Sequence, residues 1–297
     1  MNIYIIIINY NGIEDTMALL ASIKKLQVKK INLIIVDNHS CGNDSAILNE
    51  YQGCELKIIE LFENLGFSGG NNLGLKLALK EHADYILLLN NDTIVEPDFL
   101  RVLVDKFDKY PDIGIVSPQI NYYSEPNKIW SAGGKISWLR GSGFSDSEEK
   151  VKTQNDRFVD FVSGCCMLIK SEVFKKIGLL DENYFLYIED TDFCQRTRRK
   201  GYKILVTSDC KIYHKVSSST ARVNTQLPLY YTTRNRLYFS KKHFPVRFYI
   251  SFSYIFFVMF IKSICWGFSG KTGNVRAVFF SFRDFLLGKV GKTELKF

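Results

Sequence analysis

The sequence predicts an α/β fold whose mostly parallel sheet is covered by helices on both faces, and three features predict it. Strand-length runs of aliphatic and β-branched residues alternate with segments whose apolar residues recur at helical spacing. The alternation itself is the pattern of a parallel sheet with crossover helices. Each run also stops in polar residues, and ligands of such sheets bind where the strands end.

The elements follow in order. "IYIIIINY" (3–10) is a strand ending in Asn9, Tyr10 and Asn11, and "DTMALLASIKKLQ" (15–27) is a helix. "NLIIVDNHS" (32–40) is a second strand ending in Asp37-Asn38, and "ELKIIEL" (55–61) is a third. "NLGFSGGNNLGLKLALKEH" (64–82) reads as a Gly-rich turn feeding a helix. That turn lacks the G-x-G-x-x-G spacing of a dinucleotide site, but Gly69 and Gly70 would let backbone approach a ligand before a helix N-terminus. "YILLLNNDTIVEP" (85–97) is a strand running into Asn90-Asn91-Asp92. Asp92 there is either the N-cap of a following helix or a ligand for a hard cation, since three oxygen-bearing side chains suit Mg²⁺ or Mn²⁺.

Further along, "CCMLI" (165–169) is a strand and "SEVFKKIG" (171–178) a short helix capped by Ser171. "YIEDTDFCQRTRRKG" (187–201) starts a helix with Glu189, Asp190 and Asp192 and ends it in basic residues and Gly201. Acids at the positive end and bases at the negative end are good helix chemistry. Three acids beside Tyr184, Phe185 and Tyr187 exceed what a cap requires, and an acid held against aromatic surface can act as a general base. "KIYHKVSSST" (211–220) places His214 at the end of another strand, either as a structural histidine or as a metal ligand partnering Asp92.

The 297 residues are 46% hydrophobic and 24% charged, which excludes widespread disorder. Seven cysteines with no C-x-x-C pair predict reduced thiols in the cytosol, not a disulfide framework or a zinc site. "MNIYIIIINYNG" lacks the basic start and cleavage site of a signal peptide and reads as a strand beginning at once. The net charge of +8 is localised: residues 241–297 hold ten of the 39 Lys and Arg and two of the 31 Asp and Glu, leaving 29 of each sign before them. Because that basic tail is also strongly apolar, it points to an anionic membrane surface and not to nucleic acid.

Taken in order, Asp37-Asn38, "NLGFSGGNNLG", Asn90-Asn91-Asp92, "ENYFLYIEDTDFCQR" and the Tyr213-His214 pair resemble the inverting family 2 glycosyltransferases, over about residues 1–240. The likeness is to the bacterial rhamnosyltransferase-like branch that builds surface polysaccharides. The resemblance implies a GT-A fold (a Rossmann-like, mixed and mostly parallel sheet with flanking helices), a nucleoside-diphosphate sugar donor and a divalent cation, Mn²⁺ or Mg²⁺. Asn90-Asn91-Asp92 falls on the family's D-x-D position, so Asp92, Asn90 and His214 are the implied metal ligands, with Asn90 replacing the first acid. Asp37 matches the carboxylate that binds the pyrimidine base, and Asn9, Tyr10 and Asn11 would line the base and ribose pocket. Asn64, Gly69, Gly70, Asn72, Asn91, Gly164 and Glu189 complete the expected nucleotide-sugar contacts. Asp190 matches the family's catalytic base. Cys165-Cys166 departs from the small residues usual at that place.

The tail forms the second unit, 241–297. "FYISFSYIFFVMFIKSICWGF" (248–268) carries one charge and is long enough to span a bilayer, but aromatics crowd its whole length and polar residues interrupt it. "NVRAVFFSFRDFLLGKVGK" (274–292) sets Arg276 and Arg283 seven apart on one helical face. Together these predict helices lying in the cytoplasmic leaflet, hence a protein attached peripherally to the inner face of the membrane, with a true span by 248–268 and a homodimer interface as the alternatives. The resulting expectation is transfer of L-rhamnose from dTDP-L-rhamnose to a hydroxyl of a lipid-linked saccharide. The alternatives are transfer of another hexose or N-acetylhexosamine from a UDP-sugar, a nucleotidyltransferase, and a non-catalytic sugar-nucleotide-binding protein. A nucleotidyltransferase usually carries a basic, Gly-rich loop after its first strand, and "NYNGIEDT" has no basic residue.

Overall fold

The computed structural model describes residues 1–28, 31–52, 55–146, 155–216 and 226–295. Its centre is a mixed sheet. Four strands, β1 (Ile3–Asn9), β2 (Ile31–Asp37), β3 (Leu56–Glu60) and β4 (Tyr85–Leu89), pair in parallel in the order β3-β2-β1-β4. After the short β5 (Thr93–Val95) the chain makes β6 (Ile113–Tyr122) and β7 (Ile129–Ser131), then a separate hairpin of β8 (Gly134–Ser137) and β9 (Ser142–Ser145). The sheet is completed by β10 (Asp156–Val159), β11 (Cys166–Lys170) and β12 (Lys203–His214). β11 inserts antiparallel between β4 and β6, and β12 runs parallel to β6. The α/β class and the mostly parallel sheet are therefore as expected.

Period-two alternation along these strands builds two cores. Ile3, Ile5, Ile7, Leu33, Ile35 and Leu87 point to the face covered by α1 (Ile13–Ile23), α2 (Asp44–Asn49) and α4 (Phe99–Lys109). Tyr4, Ile6, Ile34, Val36 and Leu88 point to the face covered by α3 (Gly66–Lys80), α5 (Ser171–Ile177) and α6 (Glu189–Arg199). Each fully buried aliphatic chain contributes about 1.5–3 kcal/mol, so strands apolar on both faces have no other stable place.

Two local expectations are corrected. The Gly-rich segment is not a turn before a helix but the helix itself, because α3 starts at Gly66. Gly66 has φ +71°, and a Cβ there would sit 2.1 Å from the Phe185 carbonyl oxygen. Gly70 and Gly74 let α3 lie close on β1, where added Cβ atoms would meet Ile8 and Ile6 at 3.0 and 2.7 Å. Ser171 does not cap its helix. Lys170 holds the N-cap position, and the Ser171 hydroxyl is buried without a hydrogen-bond partner.

The line at residue 240 falls inside α7 (Gln226–His243), whose last turn binds back onto α6. Beyond it lie α8 (Phe248–Phe268) and α9 (Thr272–Leu286). α8 buries only Ser251, Ile255 and Met259, one stripe at four-residue spacing. Its remaining surface exposes Tyr249, Ile250, Phe257, Phe260 and Phe268. By length and composition, Pro245–Phe268 could cross a membrane.

Candidate active site at the strand ends

The sheet turns from β3 back to β4 on the far side of β1, and that reversal opens a crevice at the carboxyl ends of these strands. Parallel register sets Asn9 beside Asp37. Asn9, fully buried, does not line the crevice as expected. Its amide nitrogen donates to Asp37 Oδ1 (3.1 Å), Ser40 Oγ (3.0 Å) and Asp44 Oδ2 (2.9 Å), while its oxygen accepts from Thr16 Oγ1 (2.7 Å). Asp37 also accepts from the Ser40 hydroxyl and from Ser45 Oγ at 2.5 Å. A carboxylate has about four acceptor sites, and these three bonds leave one of them unused. Tyr10 is exposed beside this pocket, and Asn11, at φ +51°, accepts from the Cys41 N–H at 2.6 Å. Ser40, Ser45 and Asp44 were missed in the sequence, although the polar run after β2 is their signal.

Several expected donor contacts have structural work instead. Asn64 and Asn38 brace the start of α3: Asn38 donates to Asn64 Oδ1 and to the Gly66 carbonyl, both at 3.1 Å. Gly69 and Gly70 are buried against Leu65 and Ile8, so their missing side chains serve helix packing and not ligand approach. Asn72, also buried, donates to the Leu180 carbonyl (2.9 Å) and Glu182 Oε1 (2.8 Å), tying α3 to the loop ahead of α6. Asn91 donates to the Gly12 carbonyl (3.2 Å) and Thr16 Oγ1 (3.0 Å), closing the far wall of the crevice.

Asp92 does not cap a helix; it leads into β5, which pairs with β12 and brings Thr93 opposite His214. His214 Nε2 lies 3.0 Å from Asp92 Oδ1, both side chains are buried, and His214 Nδ1 has no partner. Trp130 packs edge-on against the imidazole at 4.3 Å between centroids, a neighbour no motif announced. Asn90 is held by its backbone, donating to the Cys165 carbonyl at 2.9 Å and accepting from Thr93 Oγ1 at 2.8 Å. Among the described residues, no three His, Cys, Asp or Glu side chains converge as a metal cluster. The Asp92–His214 pair offers one oxygen and one nitrogen, which fits a Mg²⁺- or Mn²⁺-type site completed by substrate phosphates. Residues 217–220 of the expected "KIYHKVSSST" strand lie outside the described residues.

The three acids of α6 separate into three roles. Asp192 is wholly buried and bonded to Arg196 Nε (2.7 Å), Lys242 Nζ (2.6 Å) and His243 Nε2 (2.7 Å). Burial opposes its ionisation, but the His243 hydrogen bond and the charges of Arg196 and Lys242 outweigh that and hold it well below the usual carboxylate range. It is an anchor between α6 and α7. Glu189 is buried with Oε2 unpartnered, and burial followed by the Asp190 charge pushes it well above its ordinary value. Asp190 is only half-buried. Its Oδ2 accepts from the Gly164 N–H (3.0 Å) and its Oδ1 from the Thr191 N–H (2.6 Å), yet burial still raises its pKa. Tyr187 and Ile188, at φ +69° and +75°, turn the chain into α6. A β-branched residue there is strained by about 1–3 kcal/mol, which surrounding structure must hold in place.

One turn connects the two halves. Gly164 reaches Asp190, and the next residue, Cys165, accepts from Asn90 two residues before Asp92. A Cβ on Gly164 would meet the Phe67 ring at 3.0 Å, so a side chain there would need that ring to shift by a few tenths of an ångström.

Comparison with known proteins places this arrangement. The model of glycosyl transferase family 2 matches residues 4–178, more than half the chain. The low-salt glycan biosynthesis hexosyltransferase Agl10 of Haloferax volcanii is 30% identical, over 81% of this chain and 76% of its own. An N-acetylglucosaminyl-diphospho-decaprenol L-rhamnosyltransferase of Mycobacterium tuberculosis is 23% identical over 73% and 77%. The dTDP-rhamnosyl transferase RfbF of Shigella flexneri is 23% identical over 82% of each chain. Among solved structures, GalNAc-T7 with UDP, GalNAc and Mn²⁺ superposes with a TM-score of 0.60 at 16% identity, over 79% of this chain. This chain spans about half of that one, 47%. The Pyrobaculum calidifontis mannosyltransferase PcManGT, in complex with GDP-Man and Mn²⁺, gives 0.58 at 12% identity over 86% of this chain and 69% of its own. These neighbours show that the fold is of the GT-A type.

Proposed function

The chain belongs to glycosyl transferase family 2 and is a glycosyltransferase, and we propose that it moves L-rhamnose from dTDP-L-rhamnose onto a hydroxyl of a lipid-linked saccharide with inversion at C1. The observation that carries the reading is the Gly164-Cys165 turn, which sets a half-buried acid with a raised pKa beside the same strand ends that hold the Asp92–His214 pair. The rhamnosyl donor is supported by the names of the M. tuberculosis and S. flexneri relatives. A UDP-hexose is the second reading, favoured by the higher identity to the hexosyltransferase Agl10.

In this mechanism Asp37 accepts the imide N–H of uracil or thymine, with Asn9, Ser40 and Ser45 fixing its orientation. Tyr10 and Asn11 flank the base. Asp92 and His214 would hold Mn²⁺ or Mg²⁺, which supplies Lewis-acid neutralisation of charge on the leaving diphosphate. Asp190 takes the proton of the attacking hydroxyl as that oxygen bonds to C1 and the nucleoside diphosphate leaves from the opposite face. General-base help of this kind is worth about 10²–10⁴-fold. Glu189, buried beside Asp190, has its ionisation opposed by burial and by the Asp190 charge. The exposed aromatic faces of α8 and α9, with their excess of basic residues, would bed in the inner leaflet and bring the enzyme to a lipid-borne acceptor.

The test is nucleoside diphosphate release from a panel of nucleotide sugars with Mn²⁺ present. Turnover confined to dTDP- or UDP-sugars is expected, and tightest binding of GDP in calorimetry would overturn the role of Asp37.

A further inference from the structure

The end of the chain builds a pocket separate from the crevice. After α9, residues 287–295 fold back over α7 and help enclose about 510 Å³, lined by Arg234, Arg283, Lys289 and Lys292 with Asp284 and Glu294. Four cations thus face two anions, but Arg283 and Lys289 already pair with Asp284 at 2.6 and 3.9 Å, so Arg234 and Lys292 are the cations with no ion pair among the described residues. Asp284 accepts from Tyr230 (2.8 Å) and Arg283 (2.6 Å). Arg234 is 2% exposed, yet it meets only neutral acceptors: the Gly291 carbonyl (2.8 Å), Asn235 Oδ1 (3.1 Å) and the Tyr230 hydroxyl (3.3 Å). No carboxylate pairs with it among the described residues, and the Tyr230 and Tyr231 rings lie 5.2 and 5.1 Å from it; a buried guanidinium so placed is costly, and its planar donor fork matches phosphate. Lys292, exposed at the rim, makes no ion pair among the described residues.

The position of the pocket says what kind of phosphate it suits. Leu286, Leu287 and Val290 are exposed beside it, 68%, 64% and 41%, so the cations sit next to a bare apolar row. The same segment also touches the loop that carries the acids. Gly291 N–H donates to the Asn183 carbonyl (2.8 Å), Thr293 N–H to the Tyr231 hydroxyl (2.9 Å), and the Tyr231 ring stacks on Phe185 at 5.3 Å. Asn235, beside Arg234, donates to the Leu186 and Tyr187 carbonyls, both at 2.9 Å.

We propose that this pocket binds the phosphate or diphosphate headgroup of a long-chain lipid, the anchor of the acceptor, and so presents the attached sugar toward Asp190. The proposal rests on transfer to a lipid-linked acceptor. Its test uses the full chain and three kinds of phosphatidylcholine vesicle: undoped, doped with phosphatidylglycerol, and doped with undecaprenyl diphosphate at matched charge. Co-sedimentation should be at least about fivefold tighter on the diphosphate vesicles than on the phosphatidylglycerol ones. K289A/K292A, two exposed substitutions, should bring that ratio close to one, while nucleotide affinity in calorimetry stays unchanged and reports an intact fold. Each lysine near an anionic headgroup is expected to matter by about fivefold. Equal binding to both charged vesicles means a generic anionic surface only and overturns the proposal, as does a preference undiminished in the double variant. A diphosphate preference in a protein that releases no nucleoside diphosphate from any donor would uphold the pocket and sink the transfer reading.

Discussion

The two poles of the crevice are built by different means. At the donor pole, Asn9, Asp37 and Asp92 stand at the ends of strands, or one turn beyond, and the sheet ladder fixes where each lies. At the acid pole, Glu189, Asp190 and Asp192 begin a helix whose entry is strained and whose position depends on remote segments. Asn72 holds Glu182, Asn235 holds Leu186 and Tyr187, and Lys242 with His243 holds Asp192. A sheet-borne group is placed by the strands around it. A helix-start group is placed by everything that packs on its loop, so damage far from the chemistry should reach the acid pole and spare the donor pole.

The sharpest break between the poles is Asp92→Ala. It should abolish turnover that depends on Mn²⁺ or Mg²⁺ without unfolding the chain, and excess EDTA should do the same to the unaltered enzyme. Full activity under either condition would remove the metal from the donor pole. Next, Asp190→Asn should lower kcat by about 10²–10⁴-fold and leave nucleotide affinity in place. If Glu189→Gln is the inactive variant instead, the base is the neighbouring acid.

Asp192→Ala should act on stability first. It strands Arg196, Lys242 and His243 around a missing partner, a loss of about 3–5 kcal/mol in a denaturant titration. An unaltered denaturation midpoint would mean that α7 does not hold the acid pole. The same acid sets a pH dependence. Its folded pKa lies below the unfolded value, so its stabilisation is full above about pH 4 and is lost as pH falls below that. Asp190 and Glu189 have folded values raised by burial, so their contribution runs the other way: it is greatest in acid and fades as pH rises through those values. As Asp190 must be ionised to take a proton, kcat should climb with pH through its raised pKa, and a flat acid limb would contradict its role.

The smallest effect probes the glycines. Gly74→Ala places a Cβ 2.7 Å from Ile6 Cγ2 and should cost about 1–3 kcal/mol of stability through overpacking. The donor KM should not change, because the close approach is between helix and sheet and involves no ligand. A raised KM at unchanged stability would restore the glycines to the donor site.

The strands and their order of polar endings were readable from residues 1–214, since aliphatic runs with no polar face have one stable environment and their ends mark one edge; the Asp92–His214 pairing was one of two readings open for His214. The acid cluster was readable as a cluster, and the resemblance singled out Asp190 within it, but the three different surroundings of Glu189, Asp190 and Asp192 were not readable. Those surroundings depend on Gly164, Lys242 and His243, which lie 26, 50 and 51 residues from the acids they contact. The glycines of α3 illustrate the same limit. Local pattern shows that a side chain is missing, and only the packed neighbours show whether a ligand or a strand fills the space. Asn9 and Asn72 likewise carry the right chemistry for a donor site, and both are turned inward because buried amides must satisfy all their hydrogen bonds. Hydrophobic periodicity is a property of neighbours along the chain, so it writes the fold into the sequence. Which polar groups stay free to meet a substrate depends on which ones folding has already paired, and those pairings form between segments far apart in the chain.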